Sequence, residues 1–161
     1  MPTGSLNLGR YFGIPVRAHW SIALVAVLFG AGLANSLGLV AGALAVLAFF
    51  ASILAHEFGH ALVARRYGVE TESIDLWALG GVARLDRESP SARADGFIAV
   101  AGPAVSRGIG VASLAAAFAV SSNVLAWVGV VNLILAVFNM LPGAPLAGGR
   151  VLRAVRWART G

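Results

Sequence analysis

Apolar and polar positions alternate along this chain in long blocks, and the blocks predict helices. Trp20 to Ala34, Leu39 to Ala64, Ala94 to Val120 and Val124 to Leu141 are dominated by Leu, Val, Ala, Ile and Phe. A helix crossing a bilayer needs about 20 mainly apolar residues, so these four runs are predicted as membrane spans. Asn35-Ser36 leaves room only for a tight turn between the first and the second. Ahead of them, Leu6 to Val16 reads LNLGRYFGIPV, whose aromatics, Gly13 and Pro15 predict a short extended segment against the membrane face. His19 and Trp20 stand where the chain meets the bilayer; Trp20 suits an interfacial anchor, and His19 reads as structural, with a spare metal ligand as its alternative. Met1 to Ala18 lacks the basic, apolar and small-residue succession of a signal peptide, so no cleavage is expected. No internal repeat is visible. The expectation is one all-α polytopic membrane domain over residues 1–161, with a small membrane-associated β-hairpin or sheet.

That hairpin is placed between the second and third spans. Glu72 to Asp86 reads ESIDLWALGGVARLD, where Ile74, Leu76 and Ala78 alternate before Gly80-Gly81, read here as the turn. A solvated loop is the other reading. A strand pair there would offer an edge on which an extended substrate could add as a further strand. The third span contains Ala101-Gly102-Pro103; its proline removes one helix hydrogen bond, and its glycine permits close helix approach. After the fourth span, Pro142, Gly143, Pro145, Gly148 and Gly149 preclude a continuous helix, so irregular backbone is expected beyond Asn139. Arg150, Arg153, Arg156 and Arg159 then recur every three residues, as in a short basic helix on an anionic membrane surface.

Composition agrees with the block pattern. Hydrophobic residues make up 58% of the 161 and charged residues 12%, which places the chain among membrane proteins. Twelve basic against seven acidic residues give a net charge of +5. The arginines gather at the ends of the apolar runs, so membrane orientation accounts for them and a nucleic-acid partner is not expected. Arg10 and Arg17, Arg65 and Arg66, Arg84, Arg87 and Arg93, and the four C-terminal arginines all fall on one side; the connections at Asn35–Gly38 and Ser121–Asn123 have none. Both termini are therefore expected to be cytoplasmic, in a multi-pass protein of the cell membrane. Arg107 lies within the third span, and snorkelling to the cytoplasmic surface is the favoured reading. With no cysteine, His and carboxylate are the only strong zinc ligands.

Within the most apolar part of the second run lies His56-Glu57-Phe58-Gly59-His60. Residues four apart share a helix face, so His56 and His60 can hold one metal ion while Glu57 leans towards its open side. This is the HExxH arrangement of zinc hydrolases. Zinc brings the pKa of a bound water to about 7, and Glu57 would take its proton and pass it to a leaving amine. Exposed histidines on a chance motif are the alternative, but ionisable groups inside an apolar span are costly and favour function.

HEFGH in an apolar helix, AGPAVS in the next span and FNMLPGAPLAGGR after the fourth together resemble the site-2 protease family of intramembrane zinc metalloproteases. The resemblance covers nearly the whole chain. It implies that His56 and His60 bind zinc and that Glu57 activates water, and it extends to Asn139, which can hydrogen-bond to the irregular backbone or to a substrate strand. It also implies a substrate class, the transmembrane segments of single-pass proteins such as anti-sigma factors or membrane-tethered regulators. PDZ or CBS modules found in some members are not expected within residues 1–161. The family pattern N-x-x-P-x-x-P-L-D-G-G calls for an aspartate, the third zinc ligand, where this chain has Ala147. Three accounts of Ala147 stand: an inactivating substitution, natural loss of catalysis, or a ligand from elsewhere. The intact surroundings favour the first. Two functions follow, an impaired zinc endopeptidase or a non-catalytic scaffold that holds single-pass proteins in the same groove. A cation transporter using the two histidines is weaker, because no paired repeat is present.

Overall fold

The computed structural model describes residues 4–78, 80–143 and 146–160. Two strands, β1 (Ser5–Tyr11) and β2 (Ile14–His19), lead into helices α1 (Ser21–Leu37) and α2 (Leu39–Arg66). Strands β3 (Thr71–Trp77) and β4 (Gly80–Leu85) follow, then α3 (Ala92–Val120), α4 (Asn123–Asn139) and α5 (Ala147–Thr160). The fold is mostly helical with one small sheet, as the block pattern predicts. Two of the four expected spans, α2 and α3, are long and apolar enough to cross a membrane; α1 and α4 are apolar but shorter.

The four strands form one sheet in the order β1-β2-β3-β4, with β2 and β3 parallel and the outer pairs antiparallel. The N-terminal stretch is thus a hairpin instead of a single extended segment. Its turn is made by Phe12 and Gly13, both at positive φ, which glycine adopts freely. Alternation sets the sheet's inner face: Ile14, Val16, Ile74 and Leu76 are buried and pack with Ile53 and Ala61 of α2. In the second hairpin Trp77 pairs with Gly80 and Leu76 with Gly81, so the two glycines open β4 and the turn precedes them. A two-residue connection satisfies hairpin geometry there. Of it, Ala78 is described and position 79 lies outside the described residues.

Small residues bring the helices together. A Cβ on Gly59 of α2 would meet the Ala101 carbonyl of α3 at 2.9 Å, and one on Gly110 of α3 would meet Leu133 of α4 at 2.8 Å. A buried polar contact joins α2 to α4, where Asn132 Nδ2 donates to Ser52 Oγ at 3.0 Å and to the Val128 carbonyl at 2.9 Å. Helix α3 runs on through Pro103 and through Arg107, whose side chain is exposed. Beyond Asn139 the chain leaves the helix as expected; Pro145, part of that expectation, lies outside the described residues.

The expected short basic helix is present as α5, and two of its four arginines have a partner within the fold. Arg150 and Arg153 reach buried Asp95 of α3, though Arg153, like Arg156 and Arg159, stays exposed. A spacing of three residues is shared by a solvent face and by a pair reaching for one carboxylate, so the sequence alone does not separate them.

Candidate metal centre

His56, Glu57 and His60 sit in the second half of α2, where helical spacing puts both imidazoles on the face that meets α3. Their Nε2 atoms are 3.1 Å apart. Each ring is held from behind by α3: His56 Nδ1 lies 2.8 Å from Ser106 Oγ, and His60 Nδ1 lies 2.6 Å from the Ile98 carbonyl oxygen. A carbonyl only accepts, so neutral His60 carries its proton on Nδ1 and presents the Nε2 lone pair to the centre. Pro103 has no N–H to give Ala99, and beside that gap the Ile98 carbonyl serves the histidine.

Gly102 makes the space into which both imidazoles point. A Cβ built there would run into His60 Nε2, and into His56 Nε2 at 2.6 Å. Gly81 does the same for the carboxylate, because a Cβ there would lie 2.5 Å from Glu57 Cγ. Glu57 Oε2 accepts the Ala83 N–H of β4 at 3.1 Å, so the edge strand of the sheet rests on the carboxylate. Glu57 and His56 are buried and His60 is half-buried.

Two neutral imidazole nitrogens at this separation suit a shared ion, since zinc binds such nitrogens at about 2.0–2.1 Å. A catalytic zinc ordinarily has three protein ligands, and the third is missing. Ala147 is the buried first residue of α5 and offers only a methyl group. Among the described residues no three His, Cys, Asp or Glu side chains come together as a ligand set. His19, the alternative donor, is engaged elsewhere: its Nδ1 is 2.8 Å from Ser21 Oγ, and it lines a cavity with Asp75, Trp77 and Arg84. The donor set thus fits a zinc ion through two ligands and falls one short.

Asn139 closes α4, and its Nδ2 donates to the Leu135 carbonyl at 2.9 Å. Ser106, the Ile98 carbonyl and the Ala83 N–H were not assigned roles from sequence, and Gly81 was read only as part of a turn. AGPAVS signals two of this site's elements, Gly102 and Ser106, but nothing in it says that a histidine lies opposite.

The Peptidase family M50 model matches residues 44–122 and 105–161 of this chain. The chain belongs to peptidase family M50, the site-2 proteases. It is 34% identical to the solved Site-2 Protease from Methanocaldococcus jannaschii, with a TM-score of 0.78 over 98% of this chain and 74% of that one. Rip3 of Mycobacterium tuberculosis, provisionally named a zinc metalloprotease, is 42% identical over 98% of this chain. Zinc metalloprotease MJ0392 of Methanocaldococcus jannaschii is 35% identical over 94%. The chain spans 45% of the length of each of these two curated relatives. Membership of the M50 family makes zinc the metal to which the His56–His60 pair is referred.

Proposed function

We propose that this chain is the core of an intramembrane zinc endopeptidase that cuts transmembrane segments of single-pass proteins, in a form impaired at Ala147. The observation that carries the reading is the Nε2 pair 3.1 Å apart, with both Nδ1 atoms held by α3 and Glu57 alongside. Zinc, when bound, polarises a carbonyl and acidifies a water. Glu57 accepts that water's proton and delivers it to the leaving amine, with its carboxylate oriented by the Ala83 N–H.

The substrate adds to β4. The Ala83 N–H turns away from β3 to reach Glu57, so by strand alternation Gly81 and Leu85 also face their backbone groups outward. A peptide unwound from its helix and laid along this edge is held beside Glu57, with Asn139 as a further hydrogen-bonding partner. Anti-sigma factors and membrane-tethered regulators are the substrate class, and the cell membrane with both termini cytoplasmic is the setting. Ala147 favours one other reading, a scaffold that retains such proteins without cutting them.

The test compares the chain as it stands, Ala147→Asp, and Ala147→Asp with Glu57→Gln, for zinc per chain and for cleavage of a transmembrane substrate in detergent or bilayer. The expected results are little zinc and no cleavage, zinc with cleavage, and zinc without cleavage. Full zinc occupancy and normal cleavage by the chain as it stands would overturn the assignment of the third ligand. Tight zinc without cleavage in Ala147→Asp would favour the scaffold.

A further inference from the structure

Among the described helices and strands, the substantial packing of α5 is against α3. At its first turn Gly148 also lies close against the Met140 and Leu141 backbone that follows α4, where a Cβ would meet the Met140 carbonyl carbon at 2.5 Å. The position of residue 147 therefore depends on that close approach and on how α5 is seated on the start of α3.

That seat centres on Asp95, which is fully buried one turn into α3. Its Oδ1 accepts from Arg150 Nη2 at 3.0 Å, Arg153 Nη2 at 2.9 Å and Ser89 Oγ at 3.0 Å, and its Oδ2 accepts from Arg153 Nε at 3.0 Å. Arg153 thus grips the carboxylate with two parallel bonds, a geometry that fixes orientation as well as distance. An ion cluster around a buried carboxylate adds little net stability, because desolvating that charge offsets the attraction. What it contributes here is a defined placement of one helix on another. Nearby, Gly96 of α3 faces Ala154 of α5, where an added Cβ would make an ordinary contact at 3.7 Å.

The same face of α3 holds the histidines. Asp95 and Ile98 are three residues apart, Gly102 and Ser106 continue the row at intervals of four, and residues so spaced line one side of a helix. Ile98 and Ser106 hold His60 and His56, and Asp95 holds α5. We infer that Asp95, through Arg150 and Arg153, is a positioning residue that sets residue 147 at ligating distance from the two histidines. The inference rests on the proposed role of position 147 as third ligand, and it assigns to the two arginines bound to Asp95 a task distinct from membrane attachment.

The test is a cycle of zinc dissociation constants on the full chain in detergent: the chain as it stands, Ala147→Asp, Asp95→Asn, and the double variant. Cobalt(II) spectra report the ligand set independently of activity. Ala147→Asp should tighten zinc binding by about tenfold or more, and Asp95→Asn should remove most of that gain. With Ala147 in place, Asp95→Asn should leave zinc binding nearly unchanged, since the histidines are held by Ser106 and Ile98. An equal loss in both backgrounds would reveal a merely structural role and overturn the inference. A gain from Ala147→Asp that survives Asp95→Asn would overturn it alone. No gain from Ala147→Asp at all would overturn it together with the third-ligand reading. If Asp95→Asn does not fold, Arg150→Lys with Arg153→Lys keeps both charges but loses the two-pronged grip; it should cancel the gain in the same background-dependent way, and failure to do so would sink the inference.

Discussion

The two sides of the metal centre differ sharply. On the histidine side each donor has a backing: Ser106 behind His56, the Ile98 carbonyl behind His60, and Gly102 clearing the space between them. On the α5 side the seating is equally well made, with Asp95 gripping two arginines, yet the residue it delivers is a methyl group. If position 147 is the third-ligand position, as proposed above, the two sides keep their supports and differ in what they present: two imidazoles on one, a methyl group on the other.

This comparison can be broken most severely at Gly102. Gly102→Ala places a methyl group against both Nε2 atoms, so zinc binding should be abolished even when Ala147→Asp is also present. Zinc per chain after dialysis reads the outcome, and an unaltered stoichiometry would show that the imidazoles do not converge at this glycine. Gly81→Ala is the next largest and should divide the site differently. Displacing Glu57 should lower cleavage by the Ala147→Asp chain about 10²-fold or more while its zinc content is unchanged. Single-turnover cleavage beside metal analysis checks the split, and parallel loss of both would count against a role confined to the carboxylate. The smallest effect belongs to Ser106→Ala. Removing the hydroxyl behind His56 should weaken zinc about tenfold whether residue 147 is Ala or Asp, in contrast to the background-dependent effect assigned to Asp95. Competition with a chelator of known affinity measures it.

The sequence carried the histidine side further than the α5 side for a physical reason. A pair four apart on one helix is fixed by local geometry, so His56 and His60 could be read as partners before any tertiary structure was known. Their supports lie 50 and 38 residues away along the chain, on a helix whose rotation about its own axis local pattern does not reveal. The hairpin at β3 and β4 was legible from alternation, but its turn was placed on Gly80-Gly81 because glycines favour turns. Gly81 serves here to let the edge strand approach Glu57, while Gly80 opens the strand at a positive φ with nothing near it. Asp95 gave no signal at all: one acid near the start of an apolar run looks like an ordinary helix-terminal residue until Arg150 and Arg153 are seen to meet it.

The parallel pairing of β2 with β3 has a topological consequence. These strands precede α1 and follow α2, and they lie side by side in one sheet, so between them the chain must leave and come back to the same side. If α2 traverses a bilayer, α1 is obliged to make the opposite traverse. Its 17 residues reach about 26 Å as a helix, less than a hydrocarbon core of about 30 Å. A short span of this kind draws the two leaflets together around itself, so the lipid beside α1 would be locally thinned. In that setting α1 is more sensitive to bilayer thickness than the 28-residue α2 beside it, and the acyl-chain length of the surrounding lipid becomes a variable acting on this end of the fold.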